Sequence, residues 1–269
     1  MKDKNIVLKK YKFLILIVLI TSFSLGCIFG ITINNTRYTT NDFFEINILQ
    51  KETNKRTEKG IDTYRYCYYD ELDNGSFITN PEYKLYKKEI NFEKAALLII
   101  DPWCDSPFEE VNNMVNSNIE EYILPIVESS LEKNATVMVF TNNPEYIQYD
   151  TLINKHLQEY IDKGLIECHY YDEWIDSDDF SAYMNNRGFN TLIYTGYAIE
   201  MCVGYRNCGV VSMYCSKWKD NFERFIIPEG CLAMLTENDT DNIQHRNAIC
   251  TAYSQQGVAN LILFEDFIK

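Results

Sequence analysis

Histidine is scarce, with three in 269 residues. A chain so poor in imidazole has little room for a His-rich metal centre. Basic residues are also outnumbered, 25 Lys+Arg against 39 Asp+Glu, for a formal net charge of −14. Such an acidic protein repels phosphate backbones, so nucleic acid is excluded as a partner. None of the nine cysteines forms a CxxC pair. Their spacings also lack the regularity of a small disulfide scaffold, so most read as apolar core residues. No repeat and no low-complexity tract is present. What remains is an ordinary globular composition, 46% apolar and 24% charged, with a heavy aromatic load of 20 Tyr and 15 Phe. Disordered, collagen-like and multi-span membrane classes are ruled out by it.

The first twelve residues carry five lysines against one aspartate, a net +4. Phe13 to Ile33 follows without a single charge. A helix of that length rises about 30 Å, enough to cross the hydrocarbon core. The segment reads as a single transmembrane anchor over 13–33 behind a basic cytoplasmic tail, 1–12. A lipoprotein box at Cys27 and a cleaved signal are the alternatives. The basic flank stays in the cytoplasm, which places the rest of the chain on the non-cytoplasmic side.

Residues 34–90 read as a juxtamembrane linker and lead-in. Thr36 to Gly60 is polar. Thr63–Tyr69 and Tyr83–Ile90 are tyrosine-rich, partly alternating and strand-like, and the pair Asn74-Gly75 between them signals a tight turn. From residue 91 the pattern is regular. Apolar runs at 95–100, 135–141, 165–171, 191–195, 222–228 and 260–264 alternate with helical spacing over 111–133, 146–163, 178–187, 200–218 and 239–255. Six strands alternating with helices predict a three-layer α/β domain over 91–269, with a six-stranded, mainly parallel sheet covered on both faces.

In such sheets chemistry collects at the carboxyl ends of the strands. Asp101 closes the AALLII run, where a carboxylate is costly unless it is partnered or works. After the TLIYT run come Gly196, Tyr197 and Ala198, and Cys202 then falls in the first turn of the next helical stretch. Free N–H groups there favour a thiolate and an oxyanion. Asp101 and Cys202 are therefore a candidate base and nucleophile. Trp103, Tyr170, Tyr171 and Trp174 are candidates to line a pocket, or to pack against the lead-in.

The segments KAALLIIDPWCD and TLIYTGYAIEMCV, with the order of elements around them, resemble the isochorismatase-like cysteine hydrolases, a group that includes nicotinamidases, N-carbamoyl amidohydrolases and isochorismatase. The resemblance covers about Lys94 to Phe267. It implies a catalytic set of Asp, Lys and Cys, with Asp101 taking the thiol proton and Cys202 attacking a carbonyl or amide carbon. It also implies a cis peptide at Tyr197–Ala198, oxyanion donors near Ala198 and Cys202, and self-association.

The family lysine is missing, since no lysine occurs from Gly164 to Ser216. His169 and Arg206 are the substitute cations by proximity. The family's metal lacks its ligands too: Asn142-Asn143-Pro144-Glu145 contains no histidine, so no metal or cofactor is expected. The sequence thus reads as a membrane-anchored cysteine hydrolase acting on a small amide or carbamoyl substrate. The alternative is a catalytically degenerate module of the same fold that binds a small ligand or partner at the cell surface.

Overall fold

A computed structural model describes residues 60–71, 77–234 and 239–269. The anchor at 13–33, the basic tail, most of the linker and the Asn74-Gly75 turn lie outside the described residues. Among the described residues no helix is long and apolar enough to cross a membrane.

The sheet is built around β3 (Ala95–Ile100), whose six residues are all buried. It is flanked in parallel by β6 (Thr191–Tyr197) and β4 (Thr136–Thr141), with Ile99 opposite both Thr195 and Val139. β5 (Glu167–Tyr170) continues beyond β4, and β7 (Glu223–Leu232) and β8 (Asn260–Leu261) extend the other side, all parallel. Strands covered on both faces need apolar residues at every position, which is why AALLII does not alternate. Leu98, Ile100, Phe140 and Tyr194 point into one half of the core. Leu97, Ile99, Val139 and Ile193 point into the other.

The expected six strands become eight. β1 (Ile61–Glu71) and β2 (Phe77–Lys88), both from the lead-in, form an antiparallel pair. β1 pairs antiparallel with β8 through Tyr64 and Leu261, giving the order β2-β1-β8-β7-β6-β3-β4-β5. The tyrosines explain the attachment. Tyr64 and Tyr83 are buried in the core, and the Tyr64 hydroxyl donates to Asp266 at 3.0 Å.

Helix α1 (Glu109–Asn118) runs through a π-helical turn, Ile119–Ile123, into α2 (Leu124–Glu132). Pro125 in the first turn of α2 has no N–H to give the preceding turn, and the wider π register accommodates the loss. The stretch expected to be helical over 146–163 is so only in α3 (Lys155–Asp162). Asp105 holds the residues before it in a loop, accepting from the backbone N–H of Thr151 at 2.9 Å and Leu152 at 3.0 Å. The Asn154 side chain then caps the helix start. α4 spans Ser177–Asn186.

The expected helix over 200–218 is broken into α5 (Cys202–Tyr205) and α6 (Val210–Cys215). Arg206 turns extended, at ψ 164°, and the backbone of Gly209 packs so closely on Gly204 that a Cβ there would lie 2.6 Å from the Gly204 carbonyl oxygen. α7 (Asp239–Gln255) and α8 (Phe264–Phe267) complete the chain. α1, α2 and α3 cover one face of the sheet, and α4, α6 and α7 the other.

Candidate active site

Two adjacent strand ends carry the site. Ile100, the last residue of β3, pairs with Gly196 of β6, so Asp101 and Tyr197 leave the sheet side by side. Gly196 has φ 122°, and a Cβ there would sit 2.0 Å from the Ile100 carbonyl oxygen. Only glycine permits that approach. The chain then passes through a cis peptide at Tyr197–Ala198, and Ile199 N–H donates to the Leu232 carbonyl at 2.8 Å. The Ala198 carbonyl accepts from Met201 N–H at 3.0 Å and Val203 N–H at 3.1 Å, a tight turn that sets Cys202 at the start of α5. Among the described residues, neither Ala198 N–H nor Cys202 N–H has a hydrogen-bond acceptor.

Asp101 is 1% exposed and takes up a left-handed backbone at φ 51°. Its carboxylate accepts from the Tyr171 hydroxyl at 2.9 Å, and the Cys202 thiol and the Arg206 guanidinium stand beside it. Burial raises its pKa to about 6, against the pull of Cys202, Arg206 and Tyr171 toward the charged form. The Cys202 thiol is pushed up to about 12, first by burial and then by the Asp101 charge, with Arg206 opposing both. At neutral pH the pair therefore rests as carboxylate and thiol. Tyr171 is held well above an ordinary phenol by burial and by Asp101.

Arg206 stacks on the Tyr171 ring, 4.3 Å from guanidinium to centroid, and donates to Asn142 Oδ1 at 3.2 Å. Burial works against its charge, but Cys202 and Asp101 together favour it more strongly.

His169 is not at the site. Its Nδ1 meets Glu173 at 2.8 Å and its Nε2 meets Glu167 at 3.1 Å, while its ring stacks on Phe140 at 5.5 Å. With both nitrogens engaged by carboxylates it has none to offer Asp101 or Cys202. The cation at the site is Arg206.

Of the expected pocket residues, Trp103 stays close, edge-on to Tyr197 at 5.2 Å. Its indole N–H is buried without an acceptor in good geometry, yet near enough to Asp101 to favour the carboxylate. Trp174 is 8% exposed and packs on Phe180, Tyr183 and Phe140 with ring centroids 4.9, 5.1 and 6.0 Å away, which makes it core. Tyr170 is half-buried, with its backbone N–H bound to Glu173. The neighbour that reaches the carboxylate is Tyr171. It was already among the pocket candidates, whereas Asn142, which immediately follows β4, is a residue the sequence reading passed over as a site member.

All eight cysteines in the described residues are free, and the Cys104 thiol donates to the Leu152 carbonyl at 3.4 Å. Among the described residues no group of three or more His, Cys, Asp or Glu could hold a metal ion. A cavity of about 710 Å³ opens elsewhere, between α1 and α7, and touches neither Asp101 nor Cys202.

No family profile and no curated protein matches the sequence. Solved structures of similar fold include YcaC from Pseudomonas aeruginosa, at 14% identity and TM-score 0.48, covering 69% of this chain and 83% of that one. The nicotinamidase SaPncA from Staphylococcus aureus is 14% identical with TM-score 0.45, covering 63% and 97%. A cysteine hydrolase from Pseudomonas syringae pv. phaseolicola is 11% identical with TM-score 0.46, covering 66% and 92%. These are structures the chain is similar to, and the chain itself shows six parallel strands, a cis bond at Tyr197–Ala198, an aspartate at the end of β3 and a cysteine at the start of α5.

Proposed function

We propose that the protein is a cysteine hydrolase acting on a small amide or carbamoyl substrate. The supporting observation is the buried contact between Asp101 and Cys202, beside two backbone N–H groups without acceptors. The thiol gives its proton to the Asp101 carboxylate as its sulfur attacks the substrate carbon. The C–S bond forms, and the carbonyl electrons move onto an oxygen held by Ala198 and Cys202 N–H. Collapse of that adduct expels the amine or ammonia, which takes its proton from Asp101. Water then attacks the thioester, again losing its proton to Asp101. The C–S bond breaks, the acid leaves and the thiol is restored. In sum, amide and water give acid and amine. The basic tail and uncharged 13–33 segment support a single-pass anchor with this domain on the non-cytoplasmic side.

One observation favours a second reading, a ligand-binding module of the same fold. The resting thiol holds its proton firmly, as an inert cysteine does. The test is ammonia or amine release from a panel of small amides, carbamoyl amino acids and ureides by the full chain and by Cys202→Ala. Release that disappears in Cys202→Ala, with an acyl adduct on the Cys202 peptide, is the expected result. Release that persists in Cys202→Ala contradicts the hydrolase reading, and no release from any compound favours the binding module.

A further inference from the structure

We infer that Arg206 stabilises the Cys202 thiolate as it forms, filling the place of the lysine that the third strand of the domain lacks. This rests on the reading of Cys202 as nucleophile. Arg206 lies four residues beyond Cys202, and its N–H donates to the Cys202 carbonyl at 3.2 Å, so one helical turn brings both side chains to the same face. The chain then leaves the helix, with Gly209 folded against Gly204, and this break allows Asn207 to reach across to the Trp174 carbonyl at 2.8 Å.

The guanidinium is clamped from two sides. Tyr171 provides the face on which it stacks, and Asn142 Oδ1 accepts from Nη2. The Asn142 amide cannot turn over, because its Nδ2 donates to the Asp150 carbonyl at 3.0 Å. The Arg206 Nε–H is buried and has no hydrogen-bond partner, while the guanidinium lies near enough to Cys202 and Asp101 for both to favour its charge. An N–H buried in that way is costly unless it has an anion to serve. The thiolate that appears during attack is that anion.

Arginine is not an equivalent of lysine here. It stays protonated throughout and can neither give nor accept a proton. It can steady the sulfur's charge, but every proton transfer of the cycle falls to Asp101. The planar group also fits the Tyr171 ring in a way an ammonium does not.

The test is iodoacetamide alkylation of Cys202, followed by peptide mass spectrometry from pH 6 to 11. Arg206→Met, Arg206→Gln and Arg206→Lys are compared with the parent, each in the native background and in Asp101→Asn, where the thiol ionises at lower pH. The expected result is an upward displacement of the Cys202 profile by more than one pH unit in the Met and Gln variants. At pH 9 this slows alkylation at least tenfold, and Lys recovers part of the loss. An unchanged profile in whichever of Arg206→Met and Arg206→Gln folds, judged by circular dichroism, overturns the assignment. The measurement needs no turnover. A displaced profile in a protein that hydrolyses nothing would leave Arg206 in place and remove the hydrolase reading. An unchanged profile in an active hydrolase would do the reverse.

Discussion

The Tyr171 hydroxyl donates to Oδ1 of Asp101 at 2.9 Å, joining the end of β5 to the end of β3 across β4. The same hydroxyl lies 3.2 Å from the Phe140 carbonyl of β4, and its ring carries the Arg206 guanidinium. One phenol thus ties together the base, the cation and the sheet.

Because that hydrogen bond favours the charged carboxylate, removing it should raise the pKa of Asp101 above its present value of about 6. Tyr171→Phe is expected to move the Asp101 titration toward neutral pH. Carbon-13 NMR of labelled aspartate carboxyls reads it directly. A midpoint that stays or falls would show that the hydroxyl does not serve Asp101.

The buried carboxylate is also a stability cost, with a definite sign. The pKa of Asp101 is raised from 3.8 to about 6 on folding, so between those values the folded state holds a proton the unfolded chain has released. Stability therefore falls as pH rises from about 4 to about 6, and the deficit is complete above that. Asp101→Asn should be more stable than the parent at pH 8, by on the order of 3 kcal/mol. The gap should close below pH 4. Urea unfolding at the two pH values checks this, and a variant less stable at pH 8 would count against it.

Gly196 should be irreplaceable for a reason independent of chemistry. A methyl group there would have to occupy the space of the Ile100 carbonyl, at a backbone angle disfavoured for any other residue. Gly196→Ala is expected to cost more than about 3 kcal/mol, measured by thermal or urea denaturation. A near-neutral effect would mean that β3 and β6 do not approach as described.

Two residues with the look of site residues should separate stability from reactivity. Trp174→Ala is expected to destabilise by about 3–5 kcal/mol, as emptying a packed aromatic site does, while leaving the alkylation profile of Cys202 unchanged below the melting temperature. His169→Gln should also leave that profile unchanged, because its nitrogens serve Glu167 and Glu173. Cys202 reactivity that changed with either residue would place it in the site after all.

These cases show what the sequence can disclose. The apolar runs without alternation, AALLII above all, marked strands buried on both faces, and the residues after them pointed to Asp101 and Cys202, which the fold brings together as a candidate site. Alternating tyrosines marked β1 and β2 as strands but carried no information on where they attach, since their partner, Leu261, lies almost 200 residues away. The helix expected over 200–218 was misleading because periodicity does not register a break caused by two glycine backbones in contact. His169 and Arg206 were both candidates to replace the missing lysine, with His169 in the very stretch where that lysine would fall. What separates them is that the carboxylates two residues before and four after His169 engage it first, whereas Arg206 lies one helical turn from the thiol. Trp174 looked like a ligand platform because aromatic residues serve packing and stacking alike, and only burial tells them apart.

The central claim is that Asp101 and Cys202 ionise as one unit, and site-resolved alkylation across pH tests it most directly. In the parent, Cys202 should react only above the ordinary thiol range of about 8.5, because burial and the Asp101 charge both oppose the thiolate. In Asp101→Asn, with the charge gone, the Cys202 profile should move to lower pH while the exposed Cys215 stays where it was. Identical Cys202 profiles in the two proteins would contradict the account.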